Sequence, residues 1–192
     1  MTYECNIAPF INIIFWVTSE FWEPRSYYHK GLDIATATVE GNVPVYSMCN
    51  GTVIFSGAQT DGQGNYTGYG NYIIMKDNTT GLGFLYAHLH RRDVSVGDSV
   101  VIGQQVGLEG TTGDSTGIHL HLEMQDLSNR GWIFNGSRQD YLNPADFLGI
   151  PNVEDTACHY SGTPYVPPTL DTFKKHKFNF IFYNSRKRRL NY

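Results

Sequence analysis

His119-Leu120-His121 sits in an alternating run in which Ile118, Leu120 and Leu122 take one parity and His119, His121 and Glu123 the other. Successive side chains of a strand point to opposite faces, so both imidazoles share a face, their Cβ atoms about 7 Å apart. That separation suits one histidine as a metal ligand and the other as its neighbour across a reacting group. Judged by residue type alone, two histidines on a solvated face are the competing reading. In His29-Lys30-Gly31-Leu32-Asp33 the histidine and the carboxylate are four residues apart. Gly31 and the following Ile34-Ala35-Thr36 disfavour a helix, whereas a bent strand entry could aim both groups inward. Zinc accepts imidazole nitrogen and carboxylate oxygen at roughly 2.0–2.2 Å. In Tyr86-Ala87-His88-Leu89-His90, the side chains of Tyr86, His88 and His90 line one face if the strand continues, and His90 reads as a surface residue at its end. Four of the seven histidines thus fall in two H-x-H pairs at strand-like positions, which favours a metal site over chance. No H-E-x-x-H helix motif is present, so a zinc peptidase here has to be of another kind.

The elements that must carry these residues are short. Apolar runs at 11–18, 44–49, 52–57, 71–76, 83–88 and 118–125 are separated by turn signals and read as strands. Asn50-Gly51 predicts a hairpin turn between two of them, and 77–81 a second polar turn. Residues 62–70 read as a Gly- and Tyr-rich loop forming a cleft wall. No long 3.6-residue period occurs; the one helix candidate is 143–148, where Pro144 suits a first turn. These features predict a mostly antiparallel β domain over residues 8–149, a linker over 150–172 with GTPYVPP at 162–168, and a basic aromatic tail over 173–192 in which Phe178, Phe180 and Phe182 alternate.

Composition agrees. The 192 residues include 13 Tyr, 11 Phe and 20 Gly, with 17% charged, a mix for strands and tight turns rather than a helical bundle or a disordered chain. The net charge of −4 divides unevenly: residues 1–150 hold 7 Lys/Arg against 15 Asp/Glu, and residues 151–192 hold 7 against 3. An acidic body is a poor nucleic-acid binder, whereas the basic tail could grip anionic wall polymers, a membrane surface or a larger assembly such as a phage particle. Cys5, Cys49 and Cys158 are too far apart in sequence for a C-x-x-C site and read as unpaired structural cysteines. The apolar stretch 7–17 is too short for a transmembrane segment, and Glu4 stands where a signal peptide would carry Lys or Arg. Export by another route, or carriage in a virion, is the expectation.

Taken together, HKGLD (29–33), YAHL (86–89) and GTTGDSTGIHLHLE (110–123) resemble the motifs of the lysostaphin-like, LytM-type M23 metallopeptidases. Segments 17–25, 68–75, 94–107 and 141–148 are similar to supporting parts of that family, in its order, across roughly 10–149. The resemblance implies a mainly β fold, a single antiparallel β-sheet domain of the LytM or duplicated-hybrid-motif type. It implies one Zn2+ per chain held by His29, Asp33 and His121, with His88 and His119 as catalytic residues that orient the attacking water and stabilise the oxyanion. It further implies a zinc metalloendopeptidase acting on peptidoglycan peptides, at glycine bridges or D-alanyl cross-links, outside the cell at the wall or in a virion. The chain departs from the family where Trp22 replaces the glycine of an opening F-G-x-R, and where 77–81 replaces an H-G-N-G turn. A tyrosine that assists the oxyanion in some relatives has only Tyr27 or Tyr28 as counterparts. Three rivals remain: a non-catalytic wall-binding or activator member of the same fold, a phage tail component carrying this domain, and a cupin-like metal barrel.

Overall fold

The structure, a computed structural model, describes residues 2–24, 28–38 and 42–162. Twelve strands follow one another: β1 (Thr2–Glu4), β2 (Ile14–Ser19), β3 (Leu32–Thr36), β4 (Pro44–Tyr46), β5 (Gly51–Thr60), β6 (Tyr66–Asp77), β7 (Leu82–Ala87), β8 (Arg91–Arg92), β9 (Ser99–Val100), β10 (Gln105–Leu108), β11 (Leu120–Asp126) and β12 (Ala157–His159). Nine form one sheet in the order β1-β12-β2-β3-β11-β7-β6-β5-β9, and three form a second, β4-β10-β8. The pairing is antiparallel except between β1 and β12. The large sheet is open, with β1 and β9 at its edges, so the cupin barrel is excluded. The expected helix forms as α1 (Pro144–Leu148): Asn143 Oδ1 accepts from Ala145 N–H at 3.0 Å, and Gly149 ends it in the left-handed region.

The central strands are buried on both faces, which is why their sequences run nearly continuous in apolar residues. On one face Ile73, Met75, Phe84, Tyr86, Leu122, Met124 and Phe147 belong to the main core, which also takes in Val45 and Val106 of the small sheet. On the other, Tyr72, Ile74, Leu85 and Ala87 pack with Phe55, Tyr69 and Trp132. Asp33, His121 and Ala87 lie in line across β3, β11 and β7, and Glu123 stands opposite Leu85. The period-2 alternation therefore puts His121 and Glu123 on the second face, away from the main core.

Three local expectations change. Asn50-Gly51 does not join hairpin partners: β4 pairs with β10 in the small sheet and β5 with β6 in the large one. The Asn50 side-chain oxygen instead accepts from Ile102 N–H. The expected 62–70 loop is a short turn, since β6 already begins at Tyr66. The sheet also continues on both sides of 8–149: β1 pairs with β12, β12 pairs with β2, and Cys5, Ile7 and Cys158 are buried. β12 falls inside the stretch read from composition as linker, while 163–192, with the basic tail, lies outside the described residues. All three cysteines are free and buried.

Candidate metal centre

Asp33 and His121 are cross-strand partners in the β3–β11 register, which sets their side chains next to each other. A register shift between Val17 and Ser19 bends β2 beside them. His29 precedes β3 in a turn closed by Trp22 N–H to His29 O and His29 N–H to Glu23 O. Three ligand atoms then converge. His29 Nε2 is 3.1 Å from Asp33 Oδ1 and 3.0 Å from His121 Nδ1, and His121 Nδ1 is 2.8 Å from Asp33 Oδ1. All three residues are buried, at 5%, 8% and 7% exposure, and the trio could hold a metal ion. Tetrahedral zinc with bonds of about 2.0–2.1 Å keeps its ligand atoms roughly 3.3 Å apart, so small relaxations fit this set to such an ion. The imidazole nitrogens that face away are engaged, as metal-binding histidines require: His29 Nδ1 donates to Glu20 O at 2.8 Å, and His121 Nε2 lies 3.1 Å from Glu123 Oε1.

Gly31 makes room for this packing. A Cβ there would stand 2.6 Å from His121 Cε1 and 2.7 Å from Leu122 O. The second neighbour is backbone of β11, so the strand itself would have to move, and overpacking of that kind costs about 1–3 kcal/mol. Gly31→Ala is expected to fold with a lowered thermal midpoint and to weaken metal uptake. Metal content by elemental analysis checks this, and wild-type stoichiometry and affinity in the variant would refute it.

His88 and His119 complete the site. β7 ends at Ala87, and His88 turns into the left-handed region with φ 61°. Tyr86, His88 and His90 therefore do not share a face, contrary to the alternation expected for a continuing strand. Tyr86 is fully buried, its hydroxyl accepting from Met48 N–H, while His90 is exposed. A bulky residue in this backbone region costs about 1–3 kcal/mol and persists where surrounding contacts impose it. Here His88 N–H donates to Tyr69 O, and Nδ1–H donates to Thr112 O at 2.8 Å. His119 is arranged alike, Nδ1–H donating to Gly117 O at 2.8 Å. Each ring is thereby left with Nε2 as its acceptor. The His119 Nε2 is 3.7 Å from Asp33 Oδ1, and the His88 and His119 ring centres are 4.8 Å apart.

The electrostatics separate the histidines. Burial, reinforced by the His121 and His119 charges, lowers His88 to about 3. Burial also lowers His119. Both shifts favour the neutral imidazole. For His121 burial works in the same direction, but hydrogen bonds to Asp33 and Glu123 outweigh it and raise the pKa to about 10. Burial opposes the Asp33 charge as well, yet His121 and His29 hold it well below the usual carboxylate range. A cation binding at His121 Nδ1 must displace the proton there, so metal uptake at pH 7 is expected to release close to one proton per ion. Calorimetry in buffers of differing ionisation enthalpy measures this, and release near zero would contradict it.

The five residues open into a cleft of ≈ 580 Å³. Gln59, Gly68, Tyr69 and Tyr72 form one wall, so part of the segment expected to line the cleft does so, as strand rather than loop. Tyr28 and Lys30 stand on another side, where Lys30 Nζ donates to Phe134 O at 2.8 Å. Tyr28 stacks on Trp22, their ring centres 5.3 Å apart, and Trp22 keeps a left-handed backbone (φ 62°) where the resemblance places glycine. Tyr27 lies outside the described residues. Sequence reasoning assigned no contact with the metal ligands to Glu123 or Tyr69. The signal for Glu123 was its parity with His121; Tyr69 was expected only as part of the tyrosine-rich cleft wall.

Comparison with known proteins accords with this geometry. The profile of peptidase family M23 matches residues 27–140, which contain all five site residues. Peptidoglycan DD-endopeptidase ShyA of Vibrio cholerae serotype O1 is 32% identical over 117 residues, 57% of this chain and 25% of its own length. Glycyl-glycine endopeptidase ALE-1 of Staphylococcus capitis is 33% identical over 120 residues, 62% of this chain and 29% of its own. The chain thus spans under a third of the length of either. The catalytic domain of lysostaphin from Staphylococcus simulans superimposes with a TM-score of 0.53 at 28% identity, over 70% of this chain and 89% of that one. With the profile matched over more than half its length and the expected histidines and aspartate converging on one buried centre, the chain belongs to peptidase family M23.

Proposed function

We propose that this domain is a zinc endopeptidase that hydrolyses peptide cross-links of bacterial peptidoglycan, acting at the cell wall. The observation that carries this reading is the convergence of His29, Asp33 and His121 on one point, with the Nε2 atoms of His88 and His119 left unprotonated beside it. Two relatives whose names specify peptidoglycan or glycyl-glycine cleavage support the substrate class. Two imidazoles and a carboxylate suit zinc. When bound, zinc lowers the pKa of a coordinated water towards about 7 and polarises the scissile carbonyl.

The chain's own residues supply the rest. His119 Nε2, nearest Asp33 Oδ1, accepts the proton of the attacking water and later returns it to the leaving amine. Its Nδ1–H bond to Gly117 O stabilises the ring while it is charged. His88, fixed by Thr112 O, orients the water by accepting one of its hydrogens at Nε2, while His119, carrying the proton it has taken, faces the developing oxyanion before passing that proton to the amine. Burial of both rings keeps them neutral beforehand, as proton acceptors must be.

A non-catalytic wall binder would lack one or more of these groups, and all five are present. Purified walls treated with the protein are expected to lose turbidity, to stop doing so with a chelator, and to resume on adding zinc. Mass analysis of released fragments identifies the bond cut. Unchanged walls under zinc-replete conditions would end the enzymatic reading. In the same assay, a chain ending at residue 167 is expected to cleave soluble cross-linked peptides normally but to bind walls less well, since it lacks the 7 Lys/Arg beyond residue 150. Equal wall binding would remove the tail from the account. The proposal extends to a phage tail component carrying this domain, for which the chain would be found in purified virions.

A further inference from the structure

We propose that Tyr69 and Glu123 form a hydrogen-bonded chain that fixes the His121 ring for metal binding, with Tyr69 a positioning residue acting through Glu123. The inference rests on the metal reading above and extends it outward from the ligands. His121 faces the ligand cluster through Nδ1, so its Nε2 must carry the proton and needs a fixed acceptor. Glu123 Oε1 supplies that acceptor at 3.1 Å and simultaneously accepts the Tyr69 hydroxyl at 2.7 Å. Glu123 is 1% exposed, and its Oε2 has no hydrogen-bond partner among the described residues. The carboxylate is therefore held at a single oxygen, and besides His121 the Tyr69 hydroxyl is its recorded restraint.

Tyr69 is built for this position. Gly68 and Gly70 on either side have φ of 50° and 58°, a region that side chains disfavour, and between these two left-handed positions in β6 the Tyr69 ring lines the cleft. There it packs against the His121 ring, centres 5.8 Å apart. Burial, followed by the Glu123 charge, pushes the phenol well above its ordinary pKa, so the hydroxyl remains a donor.

The test is zinc affinity, measured by competition with a chromogenic chelator in the wild type, Tyr69→Phe and Glu123→Gln. Metal-free melting curves serve as the control for folding. Outer partners of metal-bound histidines typically contribute about 10–100-fold in affinity. Glu123→Gln is expected within that range, and Tyr69→Phe, one bond further out, at about its lower end of 10-fold. The metal-free melting midpoint of Tyr69→Phe is expected to stay near wild type, since only one oxygen is removed. Ring nitrogen-15 shifts of His121 in the zinc-loaded proteins give a second readout: the Nε2–H resonance is expected to move when Glu123→Gln removes its carboxylate acceptor. Zinc bound by both variants at wild-type affinity, with an unchanged His121 signature, would overturn the inference while leaving the zinc reading standing. A wild type that takes up no zinc would overturn both.

Discussion

Asp33→Asn is expected to yield a folded protein that retains no zinc through purification and hydrolyses wall peptides at the background rate. The substitution keeps side-chain volume but removes the charge that both ligand histidines face, at 3.1 and 2.8 Å. An amide oxygen is a far weaker ligand than a carboxylate, and losing one of three protein ligands should lower affinity on the order of 10³-fold or more. The effect on the empty fold should be smaller, because β3 and β11 are paired through backbone bonds that the side chain does not make. Elemental analysis, a melting curve and a peptide-release assay report the three quantities separately. Zinc bound at wild-type stoichiometry and affinity in Asp33→Asn would remove this carboxylate from the ligand set.

His119→Ala and His88→Ala should behave differently. Each is expected to keep its zinc and lose about 10²–10³-fold in kcat, the usual consequence of removing a proton acceptor or an oxyanion donor. KM should change less than kcat, because both rings meet the reacting water and carbonyl rather than the rest of the peptide. With ring centres 4.8 Å apart and adjacent tasks, the double variant should lose less than the product of the two single losses. His88 permits a sharper comparison. His88→Gly removes the imidazole but places a residue at φ 61° that tolerates it. It should therefore be as slow as His88→Ala yet melt at a higher temperature. A His88→Gly protein that melts below His88→Ala would show that the left-handed backbone carries no strain, and near-normal kcat in any of these variants would dismiss that ring from the chemistry.

Much of the site was legible because its motifs are local. Strand alternation alone placed His119, His121 and Glu123 on one face; β11 bears His121 and Glu123 there, and His119 stands one residue before it in a bridge to Gly110. The same rule failed at His88, since alternation holds only while the backbone stays extended and β7 stops one residue earlier. β3 was legible only as a bent strand entry after His29, because it is buried on both faces and has no polar alternation to mark its length. Asn50-Gly51 carried the right turn chemistry, but turn chemistry cannot say which sheet the next strand will join. Convergence of His29 with His121, 92 residues later, depends on β2, β3 and β11 lying side by side, and local pattern holds no record of that. The three-residue strands β1 and β12 exist only by virtue of one another and β2.

That last pairing has an architectural consequence. Because β1 and β12 run parallel at one edge of the sheet, the first and last strands of the described residues share one border, separated by β2 from the strands that carry the ligands. Substrate therefore meets the ligand-bearing strands without crossing that border.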